Sequence, residues 1–137
     1  MDVIVLIGRI LFAALFLGSS YAHLRMTDAL AGYAQARGVP MARPAVIVSG
    51  VMLVVGGLSV LLGVWADLGS LILVAFLVPT AILMHGFWKE SDPQARQMEM
   101  TQFQKDLALG GAALMLFAFF AHVDDLGLTI TGPLFNL

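Results

Sequence analysis

The chain contains no cysteine and few charged residues, and both shortages narrow the chemistry open to it. Without cysteine there is no disulfide, thiolate nucleophile, iron–sulfur cluster or cysteine-bound zinc. Only 12% of the residues are charged, against about 25% in soluble domains. The net charge of -2 argues against nucleic acid as a partner. The sequence also lacks a Ser–His–Asp arrangement, a phosphate loop and a metal-binding motif, so we do not expect a stand-alone enzyme.

Long apolar runs occupy most of the sequence. Residues 44–66, 68–88 and 107–123 contain no Asp, Glu, Lys or Arg, and residues 3–24 contain only Arg9. Each run is long enough to cross a bilayer core of about 30 Å as a helix, and in lipid the backbone must satisfy its own hydrogen bonds. The sequence therefore predicts one all-α domain, 1–137. It is a bundle of four transmembrane helices at about 3–23, 45–64, 68–88 and 106–123.

The connector after the first helix is predicted to contain a short helix. Residues 29–37 favour helix, Thr27 or Asp28 can cap its start, and Gly38 and Pro40 end it. The segment is amphipathic, so we expect it to lie at the membrane interface.

The distribution of Lys and Arg predicts the orientation. The first and third connectors carry all of these residues except Arg9: Arg25, Arg37, Arg43, Lys89, Arg96 and Lys105. Because positive charge favours the cytoplasmic side, we place these connectors in the cytoplasm and both termini outside.

Arg9 is the first candidate for function, since charged side chains inside a membrane are costly. At 100° per residue it shares one helix face with Ala13, Phe16, Ser20 and His23. Two interpretations are open. The face forms a polar seam inside the bundle that holds an anionic or quinone-like head group, or Arg9 extends outward to Asp67, Asp124 or Asp125.

A second group of polar residues lies near the cytoplasmic ends of the helices. His23, His85, Lys105 and Asp106 belong to it. A histidine beside a carboxylate can relay protons or hold a quinone carbonyl, whereas the simpler interpretation makes these residues interfacial anchors. His23 and His85 are the only histidine pair at one level, but nothing around them specifies haem.

Several motifs, in order, resemble the DoxX family of small bacterial four-helix membrane proteins. Residues 7–116 carry Gly8-Arg9, Tyr33-Ala34 before Arg37-Gly38-Val39-Pro40, Gly56-Gly57 before Leu61-Leu62-Gly63, His85-Gly86-Phe87-Trp88 and Gln102 to Gly111. The resemblance implies a protein of the bacterial cytoplasmic membrane. The family is named for a relative of the small subunit of thiosulfate:quinone oxidoreductase. Some members are associated with oxidative-stress protection in a membrane complex with a superoxide dismutase and a sulfurtransferase.

Three positions depart from the pattern of the family. His23 stands where Lys is common, Asp106 where Asn is common, and the usual Glu near Met52 is absent. If that Lys and Glu pair across two helices, this chain has lost both, which avoids leaving a buried charge unpaired. Any activity that depends on the pair is then in doubt.

These observations predict an accessory or anchoring membrane subunit in quinone-linked or oxidative-stress redox chemistry. The expected partners are the lipid bilayer and either other proteins of a membrane complex or further copies of the chain. A bound quinone or lipid head group would be held by Arg9 and His85 with help from Lys105, each donating a charge-assisted hydrogen bond. A small transporter or channel remains an alternative, favoured by Pro79 inside the third helix, as does a purely structural subunit.

Overall fold

The computed structural model describes residues 1–123, 126–135 and 137, and this part of the chain is helical without strands. The helices are α1 (Asp2–Arg25), α2 (Thr27–Ala36), α3 (Ala42–Leu62), α4 (Ala66–Met84) and α5 (Pro93–His122), with a 3-10 turn at Phe87–Lys89. Four of them, α1, α3, α4 and α5, are long and apolar enough to cross a membrane. The predicted all-α fold with four membrane-spanning helices is thus confirmed.

The last helix begins much earlier than the predicted start near Asp106. Pro93 occupies its first turn, where the missing N–H costs nothing. The side chain of Asp92 caps this turn by accepting a hydrogen bond from the Ala95 N–H at 2.8 Å. Nothing between Pro93 and Asp106 breaks a helix, so α5 carries the charged third connector and the last apolar run as one element.

The short helix α2 is present, but its predicted cap is wrong. Neither Thr27 nor Asp28 caps it, because no side chain accepts a capping hydrogen bond at its start. The Thr27 hydroxyl instead donates to the carbonyl of His23 in α1, at 2.7 Å. Ala31 and Ala34 of α2 pack against Val46 of α3, which lays α2 across the end of the bundle.

The transmembrane helices pack in the order α1, α3, α4, α5. Helices α3 and α4 approach closely, and a Cβ placed on Gly56 would lie 3.1 Å from the carbonyl oxygen of Gly69. Gly63 ends α3 in the left-handed region with φ 66°, which glycine adopts without strain. This geometry produces the tight turn between α3 and α4.

The carboxy-terminal tail is fastened over that turn. Ile130 and Thr131 donate their N–H groups to the carbonyl of Gly63 at 3.1 and 3.0 Å. Buried Asp67, in the first turn of α4, accepts from the N–H groups of Leu134 and Phe135 at 2.8 and 2.6 Å. The tail therefore closes one end of the bundle, and the opposite end carries α2 and the beginning of α5.

Candidate functional site

The α2 end of the bundle holds a histidine between two carboxylates. His85 directly follows α4, and its Nδ1 lies 2.8 Å from Oε2 of Glu99. Its Nε2 lies 3.7 Å from Oδ2 of Asp106. Glu99 and Asp106 are two helical turns apart on α5, which places them on the same face. Only 18% of the His85 side chain, 15% of Glu99 and 9% of Asp106 are exposed.

Arg37 connects this histidine site to α2. Its guanidinium pairs with Oε1 of Glu99 and, at 2.6 Å, with Oε1 of Glu90. The Tyr33 hydroxyl donates to the same Glu99 oxygen at 3.1 Å. Burial lowers the pKa of Arg37, but the hydrogen bonds to Tyr33 and Glu90 and the charge of Glu99 outweigh it and raise the pKa above its ordinary value. Arg37 is therefore a permanent cation that holds α2 to α5.

Lys105 completes the cluster at its rim. It is half exposed, and its Nζ lies 3.9 Å from Oδ1 of Asp106. The cluster then has two cations, Arg37 and Lys105, against three carboxylates, Glu90, Glu99 and Asp106. With His85 neutral its formal charge is -1, and one proton on His85 would bring it to zero. The arrangement thus surrounds one imidazole with charged groups of both signs.

Two cavities meet at His85. The larger, about 330 Å³, lies between α2, α3 and α4 and has an almost wholly apolar lining. The smaller, about 160 Å³, lies between α1, α4 and α5, and its lining includes Lys105 and Asp106. Four residues line both: His23, Phe76, Thr80 and His85. The polar cluster therefore borders an apolar space at the α2 end of the bundle.

His23 forms the second imidazole of this shared wall. Its Nδ1 lies 2.7 Å from Oγ of Ser49, and its ring packs edge-on against Phe76. Because the Ser49 hydroxyl donates its hydrogen to the carbonyl of Val46 at 2.8 Å, its oxygen is left to accept from His23. In the described residues, no three His, Asp or Glu side chains are placed to hold a metal ion.

Arg9 lies at the other end of the bundle. It is 2% exposed and donates to three backbone carbonyls, those of Val60 at 2.8 Å, Leu61 at 2.6 Å and Leu128 at 2.8 Å. The structure thus places Arg9 inside the bundle rather than extended toward Asp67. It separates Arg9 from His85 and Lys105, with which it was expected to share a ligand. Asp124 and Asp125, the other expected partners, lie outside the described residues.

A model of the DoxX family matches residues 4–86 of this chain, which is more than half of its length. The chain belongs to the DoxX family. No curated protein and no solved structure matches it. The matched segment contains Arg9, His23 and His85, whereas Glu99, Lys105 and Asp106 lie beyond it. Four of the six charged or ionisable residues of the cluster, Glu90 with these three, therefore come from a part of the chain that the family model does not cover.

Sequence reasoning singled out three members of this polar cluster, His85, Lys105 and Asp106, and missed Arg37, Glu90 and Glu99. Glu99 and Asp106 are seven residues apart, a spacing that places both on one face of a helix. This spacing becomes informative only when α5 is known to begin at Pro93. Arg37 carried no comparable signal, because its partners are distant in sequence.

Proposed function

We propose that this DoxX protein is an accessory integral membrane subunit of quinone-linked or oxidative-stress redox chemistry, and that it binds a quinone-type ring beside His85. The observation that carries the proposal is the placement of the charged cluster around His85 at the wall of an apolar cavity. Ligand sites commonly combine apolar walls with a few convergent polar groups.

The lining of the space favours a lipophilic molecule. The larger cavity has Leu30, Val39, Leu83 and Met84 around it, side chains that accommodate an apolar ring or its tail. The smaller cavity supplies the polar groups His85, Asp106 and Lys105. A ring with oxygen atoms at one edge and an apolar tail would use both surfaces. Arg9 is not included in this site, because it lies at the opposite end.

The transport alternative is less well supported by the packing. Both cavities lie in the half of the bundle nearer to α2. The core of the other half, apart from an outer groove of about 340 Å³ between α3 and α4, is filled by Val60, Leu73, Ala113 and Phe120, all at most 3% exposed. A substrate path through the described part of the bundle would have to displace these side chains. A binding site open to one side therefore accounts for the geometry more simply than a channel.

Membership of the DoxX family supports the location, and the distribution of Lys and Arg supports the orientation. We place the protein in the bacterial cytoplasmic membrane with both termini outside, so that the His85 cluster faces the cytoplasm. A redox partner on that side could exchange protons through the cluster. A native mass spectrum of the protein, extracted in mild detergent, tests whether it is bound to a redox partner or to further copies of itself.

Binding is tested with purified protein and decylubiquinone, a short-chain quinone, in its oxidised form and in its reduced hydroquinone form. A ligand that binds the folded state raises the unfolding temperature by an amount that grows with the ratio of free ligand to its Kd. We expect stabilisation of the wild type and of His122→Ala, and its loss in His85→Ala. His122 is the matched control because it is an exposed histidine at the other end of α5. Equal stabilisation of His85→Ala and His122→Ala would show nonspecific partitioning and refute the site. A short-chain menaquinone analogue in parallel distinguishes the ring type.

A further inference from the structure

We infer that Glu99 is a positioning residue that fixes the tautomer of His85, so that the site selects a ligand oxygen that donates a hydrogen bond. The part of this inference that concerns the ligand rests on the proposed function. The part that concerns the tautomer of His85 does not. The expected ligand is a lipophilic phenol or hydroquinone. When His85 is neutral, the site should bind such a molecule more tightly than one that has only carbonyl or ether oxygens.

The two oxygens of Glu99 face different partners. Oε1 receives hydrogen bonds from Arg37 and from the Tyr33 hydroxyl, both of which are donors. Oε2 faces Nδ1 of His85 at 2.8 Å. An ionised carboxylate is only an acceptor, and permanently charged Arg37 beside Oε1 favours that ionised form. The hydrogen bond at 2.8 Å therefore requires the proton of the imidazole to be on Nδ1.

The other nitrogen of His85 then carries a lone pair. A neutral imidazole has one donor and one acceptor nitrogen, so Nε2 is an acceptor. Oδ2 of Asp106 lies 3.7 Å from it, which is beyond hydrogen-bond distance. As a carboxylate, Asp106 is also an acceptor, and it is approached by Lys105 on its other oxygen.

Two acceptors thus face the smaller cavity, which both His85 and Asp106 line. A hydroxyl can donate to either of them, whereas a carbonyl or ether oxygen can only face their lone pairs. Leaving a buried polar group without a partner is costly, and sites built to pair with a hydroxyl reject analogues that lack it. The remaining histidine at the wall, His23, donates through Nδ1 to Ser49 and so also presents an acceptor.

The substitution Glu99→Gln is expected to reverse this pattern. Arg37 and Tyr33 still require an acceptor at the Oε1 position, so the carbonyl oxygen of the amide belongs there. The amide NH₂ then faces Nδ1 of His85 and donates to it, which moves the imidazole proton to Nε2. Glu90→Gln is the matched control, because Glu90 also pairs with Arg37 but lies on a different guanidinium nitrogen from Glu99.

The tautomer is read directly from imidazole ¹⁵N chemical shifts in the histidine-labelled protein. The chain has only three histidines, and His85→Gln identifies the signals of His85. At pH 9 we expect the proton on Nδ1 in the wild type and in Glu90→Gln, and on Nε2 in Glu99→Gln. A wild-type spectrum with the proton on Nε2, or with both nitrogens protonated, would overturn the inference even if Glu99→Gln folds poorly.

Ligand selection is read with two redox-inert probes, 4-decylphenol and 4-decylanisole, which differ in the hydroxyl donor. One net hydrogen bond corresponds to about fivefold to tenfold in affinity, so the wild type should bind the phenol tighter by that factor. Glu99→Gln should lose or reverse the preference. Equal affinities in the wild type would overturn the selection. If neither probe binds while Nδ1 carries the proton, the positioning role is supported and the proposed ligand site is refuted.

Discussion

Arg9 in the first helix donates a hydrogen bond from Nε to the carbonyl oxygen of Val60 in the third, at 2.8 Å. The last four carbonyls of a helix have no partner within it, and the carboxy-terminal end of a helix attracts cations. Arg9 satisfies two of these carbonyls on α3 and one on the tail. Lipid tails cannot donate hydrogen bonds to these carbonyls. The need for a donor at the end of α3 thus explains why a charged residue lies inside the bundle.

Replacing Arg9 with alanine should destabilise the fold without changing ligand binding. The substitution leaves three carbonyls without their donor, and we expect the free energy of unfolding to fall by about 2–5 kcal/mol. Arg9→Lys should recover part of this loss, because an ammonium lacks the planar fork of the guanidinium. The measurement is unfolding in detergent micelles, together with decylubiquinone binding by whatever protein remains folded.

Arg25→Ala is the control for this substitution. Arg25 lies in the last turn of the same helix but is exposed, and its guanidinium only stacks 6.0 Å from the ring centre of Tyr21. Its loss should leave stability nearly unchanged. If Arg9→Ala were as stable as Arg25→Ala but did not bind the ligand, Arg9 would belong to the ligand site after all.

Gly56→Ala tests the close packing of α3 against α4. A methyl group at this position would lie 2.8 Å from Leu73 Cδ2 and 3.1 Å from the backbone oxygen of Gly69, so the helices would have to separate. Overpacking of this kind costs about 1–3 kcal/mol. Gly18→Ala on α1 should be neutral or stabilising, because no atom of the described chain lies within 4 Å of the added carbon. Thermal unfolding of the two variants compares them directly, and equal stabilities would refute the packing.

Arg37→Ala should loosen the attachment of α2 more than Arg43→Ala does. Arg37 is 15% exposed and binds two carboxylates, and hydrogen bonds to charged groups are worth about 1.5–3 kcal/mol. Arg43 pairs with a single, exposed partner, Asp28, and exposed pairs contribute little. Hydrogen exchange of the α2 amides should accelerate in Arg37→Ala and not in Arg43→Ala. The same rate in both variants would mean that packing of Ala31 and Ala34 alone holds α2.

Periodicity predicted the part of the structure that depends on helix geometry. The face that contains Arg9, Ala13, Phe16 and Ser20 was expected from the 100° rotation per residue, and these four are the buried residues of α1. The partners of Arg9 could not be predicted, because backbone carbonyls have no sequence signature. Glu99 escaped notice for a related reason. It lies in a charged stretch that resembles an aqueous connector, and only the continuous α5 brings it beneath His85.

The orientation of the protein is tested by single cysteines in this naturally cysteine-free chain. Ser91, before α5, is exposed at the His85 end, and Gly132 is exposed in the tail at the other end. Gly132 is a better position than its neighbour Thr131, whose hydroxyl oxygen accepts a hydrogen bond from the Trp65 N–H at 2.9 Å. An added carbon on Gly132 meets no atom of the described chain within 4 Å.

In intact cells, a membrane-impermeant maleimide should label Gly132→Cys and not Ser91→Cys, because positively charged connectors remain on the cytoplasmic side. After the membrane is permeabilised, both should react, which controls for accessibility of the thiol. Labelling of Ser91→Cys alone in intact cells would show that the protein has the opposite orientation. The His85 cluster would then face the outside, and any proton exchanged with a quinone-type ligand would come from that compartment.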